Sequence, residues 1–561
     1  MSAQTLITEH LDLWAGAVTK KSSSGRGGNR KVELTGIKKL RELILELAVR
    51  GKLVEQNPND EPAPTLLTRI KDIEQELVKS KRIRKPKHVA SISAEEAEFN
   101  LPSSWQWVRL GAIGQIVGGG TPKSGEPSFW SDKGIPWLTP ADLYGLKEKF
   151  IASGNRDISE LGLAKSSAQL LPLGSVLFSS RAPIGYVAIT SGELATNQGF
   201  KSCVPRIQEM NQFIYYFLKR SAPHIDASAS GTTFKEVSGT KVASIPMPLP
   251  PLEEQHRIVQ KVDELMAICD RLEQQTSDQL DAHETLVETL LGTLTQSANA
   301  TELADNWARL AEHFDTLFTT EQSIGKLKQS ILQLAVMGRL VEQDEGDEPV
   351  INLLKQHYII SKPCSLNGWA EVSLGNLGTV LGGSTPTKSK GEFWNGSIPW
   401  VSPKDMKCHL IKDSQIRVTE QALSQSNLKL VPENSLIMVV RGMILAHSFP
   451  VAITESEVTI NQDMKALTPP DEISKYLLLY LQASKHKVVE LVDRSSHGTC
   501  KLISKKLWSL PILLPPLEEQ HRIVQKVDEL MALCVHLKER LNQASEARCQ
   551  LAGAVVEGAL S

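Results

Sequence analysis

The chain has 561 residues, 41% hydrophobic and 22% charged, with 62 Lys and Arg against 64 Asp and Glu. No apolar run approaches the ~20 residues of a membrane-spanning helix, the N-terminus lacks the pattern of a secretory signal, and the seven cysteines are scattered without a CxxC pair. These features argue against a membrane protein, a disulfide framework and a zinc knuckle, and the expected location is cytoplasmic.

The near-neutral total hides segregation. Lys and Arg outnumber Asp and Glu over 1–245 and again over 365–510, whereas 246–364 is strongly acidic. Two basic blocks separated by an acidic connector imply different partners for different segments.

Taken in chain order, the elements occur twice. "KKLRELILELAVRGKLVEQNPNDEP" (38–62) is matched by "GKLKQSILQLAVMGRLVEQDEGDEP" (325–349). Leu40, Ile44 and Leu47, and likewise Leu327, Ile331 and Leu334, mark amphipathic helices that stop at Gly51 and Gly338. The first copy is followed by extra residues that include the basic run "KSKRIRKPKH" (79–88); this run and "KKSSSGRGGNRK" (20–31) read as solvated linkers or as sources of non-specific phosphate attraction.

Each copy then enters a basic block rich in short β-type runs. "VGGGTPKSGEPSFWSDKGIPWLTPADL" from Val117 parallels "LGGSTPTKSKGEFWNGSIPWVSPKDM" from Leu381. "VLFSSRAPIGYVAIT" (176–190) parallels the longer "LIMVVRGMILAHSFPVAIT" (436–454), "TNQGFKS" (196–202) parallels "INQDMKA" (460–466), and "GTTFK" (231–235) parallels "GTCK" (498–501). With the helical runs 211–225 and 472–484, each block reads as an α+β domain. Both end in the identical string "PPLEEQHRIVQKVDELMA", at 250–267 and 515–532. Pro251 and Pro516 suit the first helical position, and Glu253-Glu254 and Glu518-Glu519 suit the positive end of the helix dipole. Ile258, Val262, Leu265, Cys269 and Leu272, extended by Leu286 and Leu290, form a coiled-coil-type seam; Ile523, Val527, Leu530, Cys534, Leu537 and Leu541 form its copy. Ordinary amphipathic helices packed on a globular core give the same pattern.

No phosphate-binding GxxxxGK[ST], no HExxH and no Asn/Asp-Pro-Pro-aromatic string occurs, and nothing groups Ser, His and Asp as a triad, so no catalytic residue and no metal site are expected in this chain.

The ordered set "GGGTP…FW…IPW", "SSRAPIG", "TNQGFK", "GTTFK", "IPMPLPPLEEQHRIV", found twice, resembles the specificity subunit of type I restriction–modification systems from about residue 35 to about 545. The resemblance implies an α+β chain. Two globular α/β target recognition domains would be separated by long antiparallel coiled-coil helices, pseudo-two-fold and circularly arranged, with the terminal helices meeting to rebuild the central connector. The implied divisions are an N-terminal helical segment with its basic insert (1–100), a first recognition domain (101–250), central spacer helices (251–345), a second recognition domain (365–515) and a C-terminal helix (516–561). It further implies a non-catalytic reader of a bipartite, asymmetric double-stranded DNA target. Two methyltransferase subunits would bring S-adenosylmethionine and methylate adenine, and restriction subunits would add ATP- and Mg-dependent cleavage; no cofactor is implied on this chain.

Residues shared by both halves cannot encode different bases, so they are expected to serve the fold, phosphates or partners. The expected DNA-contacting set is Thr121, Lys123, Arg181, Asn197, Gln198, Lys201 and Lys235, with Thr385, Lys388, Arg441, Asn461, Gln462, Lys465 and Lys501, taking Lys235 and Lys501 as equivalent. Internal salt bridges are the other reading of the cations, and a backbone-bonding role is favoured for the Asn-Gln pairs. Trp130, Trp137, Trp394 and Trp400 are expected to pack. Base readout falls to divergent loops near 143–172, 225–234, 406–430 and 485–498. Glu253, Glu254, His256 and Arg257, with Glu518, Glu519, His521 and Arg522, are expected to dock two identical partners. A coiled-coil protein-interaction scaffold without a DNA role is the competing reading.

Overall fold

In a computed structural model of the protein, residues 9–20, 32–83, 90–181, 183–229, 235–298, 300–494 and 500–560 are described. Residues 21–31 and 84–88 of the two basic runs, together with 231–234 and 495–499, lie outside the described residues. The chain forms two compact units, one of residues 1–278 and 544–561, the other of 279–543. Six helices organise them: α1 (Thr35–Val49), α2 (Asn211–Ala227), α3 (Leu252–Gln296), α4 (Glu321–Val336), α5 (Ser474–Ala483) and α6 (Leu517–Leu560).

In the first unit a five-stranded sheet takes the spatial order 114–118, 201–205, 176–178, 187–190, 150–151. Its centre is the hairpin 176–178/187–190, antiparallel with Val176 opposite Ile189. A second five-stranded sheet carries 135–138 between 156–158 and 194–196. The second unit repeats the first sheet as 379–382, 464–468, 436–439, 451–454, 410–411, with Leu436 opposite Ile453. The consecutive apolar residues of the central strands 176–178, 187–190, 436–439 and 451–454 are buried on both faces, with α2 or α5 covering one of them.

The helices and the recognition domains share their cores. Leu40, Ile44 and Leu47 of α1, Ile258, Val262, Leu265 and Cys269 of α3, and Trp105, Phe213 and Met247 belong to one buried cluster. The expected boundary at 250/251 therefore falls inside continuous packing. Ion pairs tighten it: Arg41 meets Asp270 at 2.5 Å and Glu273 at 2.7 Å, and Lys149 meets Asp263 at 2.6 Å. The last turns of α6 join the same core through Ala552, with Lys39 Nζ donating to the Cys549 carbonyl at 3.1 Å, Lys52 Nζ to that of Leu560 at 3.0 Å and Ser545 Oγ to that of Val18 at 2.6 Å. The two ends of the chain thus meet in the first unit, as a circular arrangement demands. In the second unit α4 packs with Val287, Leu291 and Leu294 of α3 and with Ile523, Val527 and Cys534 of α6.

Two local expectations change and a third holds. Leu286 is 50% exposed, and Val287, Leu291 and Leu294 are the buried residues instead. A strict seven-residue repeat from Ile258 arrives at Leu286, whereas a helix of 3.6 residues per turn drifts ~20° per heptad and presents Val287. Pro251 and Pro516 precede their helices: the Pro251 carbonyl accepts the first helical bond, from Gln255 N at 2.9 Å, and Pro516 does the same for Gln520. The stops at Gly51 and Gly338 hold, with φ of 67° and 68°, and a Cβ at Gly51 would lie 2.6 Å from Pro102.

The residues before the first recognition domain are tied down by one guanidinium. Arg109 donates to both carboxylate oxygens of Glu96, at 2.7 and 2.8 Å, and to the carbonyls of Ala90, Ser91 and Ser244. These hydrogen bonds hold the Glu96 carboxyl down at about 2. Because its folded-state value lies below its unfolded value near 4.5, the stabilisation is complete above that value and is lost as pH falls towards 2. Hydrogen exchange is expected to report loosening of residues 90–98 across that window, and Glu96→Gln is expected to loosen them at neutral pH.

Candidate nucleic-acid interface and partner face

Glycines 118–120 let the loop that follows the strand 114–118 lie against the Asn197-Gln198 turn. A Cβ on Gly119 would stand 1.9 Å from the Asn197 carbonyl, so no side chain fits. Two tryptophans staple the loop: Trp137 Nε1 donates to the Gly120 carbonyl at 2.9 Å and Trp130 Nε1 to that of Lys123 at 3.3 Å, while their rings meet edge to face at 5.2 Å. Thr121 and Lys123 are held exposed by this frame, and Thr121 Oγ1 bonds the Gln198 side chain. Asn197 turns inward, its Oδ1 accepting from Gly199 N at 2.9 Å.

Arg181 and Lys201 gather beside this turn. Lys201 Nζ donates to the Gln198 carbonyl at 3.2 Å, and Glu236 lies 3.0 Å from Arg181 and 3.7 Å from Lys201. Partial burial lowers the Lys201 ammonium below its usual range; Glu236 opposes this and Arg181 adds to it. Lys235, the residue before Glu236, lies instead 3.6 Å from Asp226. Arg181 and Lys235 remain about half exposed, so these pairs are weak in water and leave both cations free to exchange partners.

The second unit builds the same frame. A Cβ on Gly383 would meet the Asn461 carbonyl at 1.7 Å, Trp400 Nε1 donates to the Ser384 carbonyl at 3.0 Å and Trp394 Nε1 to that of Thr387 at 3.4 Å. Thr385 is half-buried beside exposed Lys388, and Asn461 Oδ1 accepts from Asp463 N at 3.0 Å with Gln462 exposed. Arg441 lies 3.9 Å from Asp463, and Lys465 pairs across from Gly382 as Lys201 pairs across from Gly118.

The backbone register corrects one equivalence. Arg181 bridges Glu236, and Arg441 bridges Lys501. Val237 N bonds the Ser180 carbonyl at 2.9 Å, and Leu502 N bonds that of Val440 at 2.9 Å. Lys501 therefore stands where Glu236 stands in the first unit, and Lys235 corresponds to Cys500. Matching Lys to Lys by letter shifts the strand by one residue, which reverses its face. The acid near each cation cluster thus comes from a different segment: Glu236 in one unit, Asp463 in the other. Neither was among the expected residues. Their signal is that each departs from its counterpart in the other half.

The helix starts carry a second duplicated constellation. Trp105 Nε1 donates to Glu254 Oε2 at 3.0 Å and Gln56 Nε2 donates to Oε1 at 2.5 Å, while Arg257 meets Asp60 at 2.6 Å. In the second unit Trp369 donates to Glu519 at 2.9 Å, Gln343 at 3.4 Å, and Arg522 meets Asp347 at 2.6 Å. Glu254 and Glu519 are each 1% exposed. Burial pushes both carboxyls above their usual range, against the indole and amide donors. Of the residues expected to face partners, these two point inward and lock the helix to the domain; Glu253, His256, Glu518 and His521 are exposed, and Arg257 and Arg522 lie half-buried between. Gln56 and Asp60, and their copies Gln343 and Asp347, were legible as identities in the repeated "LVEQ" and "DEP" strings.

Among the described residues no helix is long and apolar enough to cross a membrane, and no group of three or more His, Cys, Asp or Glu could hold a metal ion.

The family model described as the type I restriction modification DNA specificity domain matches twice, at residues 102–282 and 367–547. Two relatives from Escherichia coli, the specificity subunits of the type I restriction enzymes EcoAI and EcoEI, are each 34% identical, with 100% of this chain and 100% of the relative covered. A solved chain from work on complex assembly and conformational transition of the type I R-M system is 21% identical, covering 82% of this chain and 99% of its own, with a TM-score of 0.50, a likeness of fold. A duplicated recognition domain, the duplicated helix lock and these matches along the whole chain make one conclusion: the chain belongs to the specificity subunits of type I restriction–modification systems.

Proposed function

We propose that each unit grips one part of a split double-stranded DNA target. Arg181, Lys201, Thr121 and Lys123 would engage phosphates in the first unit. Arg441, Lys465, Lys501, Thr385 and Lys388 would do so in the second, and Gln198 and Gln462, exposed at the tip of each turn, would complete the contact. One observation carries the reading: the same glycine–tryptophan frame is built twice and presents cations each time, while the loops around it differ. Shared cations suit the invariant backbone; divergent loops near 143–172 and 406–430 suit the bases. The described parts of 225–234 and 485–498 belong with them.

The exposed residues at the helix starts, Glu253 and His256 with Glu518 and His521, would dock two methyltransferase subunits through equivalent contacts. Those subunits would supply S-adenosylmethionine for adenine methylation, and restriction subunits would add ATP- and Mg-dependent cleavage in the cytoplasm. The chain itself would remain a non-catalytic reader, with α3 and α6 setting the gap between half-sites.

Exchanging residues 101–250 for the equivalent domain of a relative with another target is expected to replace one half-site in genome-wide methylation mapping and leave the other unchanged. A chimera that keeps both original half-sites defeats the assignment.

A further inference from the structure

The turn after the central strand differs between the units in a way that bears on recognition. In the first unit it is short and folds back on its own strand: Ser179 Oγ donates to the Pro183 carbonyl at 2.8 Å and accepts from Tyr186 N at 2.8 Å. In the second unit the longer segment 441–450 projects. Gly442, at φ 134°, redirects the chain into a 3-10 turn, Met443–Ala446. Met443 is 57% and Ile444 46% exposed, next to Leu445 and Phe449, which are 0% and 4% exposed.

This apolar tip is fixed at its base. Gly442 N donates to the Cys500 carbonyl at 3.0 Å, Arg494 Nη2 donates to the Ala446 carbonyl at 3.2 Å, and Leu445 and Phe449 are anchored in the core. Cations outnumber acids around it. Arg441, Arg494 and Lys501 are exposed beside it, with two acids nearby: Asp463, 3.9 Å from Arg441, and Asp493, which pairs across from Lys501 and is held by Lys506 at 2.7 Å. Two adjacent apolar side chains held out to water are unfavourable unless something covers them, and a rim of cations selects a polyanion with an apolar feature. In duplex DNA the exposed apolar group at the base edges is the thymine 5-methyl in the major groove.

We propose that Met443 and Ile444 read thymine methyl groups in the half-site of the second unit. Among its described residues the short turn of the first unit keeps Ile184 partly buried against the core and exposes no comparable Met-Ile pair, so this contact helps make the two half-sites different. The inference rests on the DNA-reading function proposed above and adds its own residues and base feature.

The test uses the full chain assembled with its methyltransferase subunits. Duplexes carry the mapped target with thymines of the second-unit half-site replaced singly by deoxyuridine. Burying one methyl contributes ~0.8 kcal/mol, so at least one replacement is expected to weaken binding about fourfold. Met443→Ala/Ile444→Ala is expected to bind thymine and uracil duplexes equally, with an unchanged salt slope, while Met443→Leu/Ile444→Val keeps the preference. Indifference of the parent complex to every replacement, a half-site without thymine, or a preference that survives the double Ala variant overturns the proposal. So does an Ala variant that fails only in joining its methyltransferase subunits, which would make the tip a protein contact. Loss of all sequence preference by the parent complex would instead count against DNA reading itself.

Discussion

Trp105→Ala is expected to lower the stability of the first unit by about 4 kcal/mol, the range for deleting a buried tryptophan, and to bring its thermal transition down by on the order of 8 °C. Two effects combine. The ring leaves a cavity between α2, where it meets Phe213 edge to face at 6.4 Å, and the start of α3. The indole N–H also disappears from Glu254, a carboxylate only 1% exposed. Trp105→Phe separates them: it keeps most of the packing and removes the donor, and is expected to cost about 2 kcal/mol. A Phe variant as stable as the parent would show that the buried hydrogen bond contributes nothing. Trp369→Ala should act in the same way on the second unit through Glu519. The pH dependence has a definite sign. Burial raises both carboxyls in the folded state, so the folded chain holds their protons more tightly than the unfolded chain, and these two groups favour folding more as pH falls through the range just above 4.5. Glu96 acts in the opposite sense, over lower pH.

Arg441→Ala/Lys465→Ala, measured in the assembled complex, is expected to weaken binding to cognate and unrelated duplexes alike by more than tenfold. A hydrogen bond to a charged group contributes ~1.5 kcal/mol or more, and neighbouring effects need not add. The logarithmic salt slope should fall by about 1 for each phosphate that is no longer neutralised. Arg181→Ala/Lys201→Ala should behave likewise in the first unit. Glu236→Gln should do the reverse: with the acid 3.0 Å from Arg181 and 3.7 Å from Lys201 neutralised, affinity and salt slope both rise. Weaker discrimination at particular bases, with the salt slope intact, would move these residues from phosphate binding to base reading.

What the sequence by itself determined is the plan. Internal identity located two equivalent domains and two equivalent helix starts, because residues required at both copies of one structure survive as matching strings. Short β-type runs bounded by Gly, Pro and Ser marked the strands, and 3.6-period stripes marked the helices, since burial of one helix face imposes that spacing. Tertiary structure alone decided three things. It showed that Glu254 and Glu519 look inward, because helix position does not say which face meets a tryptophan from a distant strand. It set the register that places Lys501 opposite Arg441, since strand pairing depends on hydrogen bonds between segments far apart in the chain and a one-residue slip leaves the letters plausible. It also exposed Met443 and Ile444 while burying Leu445 and Phe449, for the apolar residues of one loop read alike until the surrounding core chooses which of them it can hold.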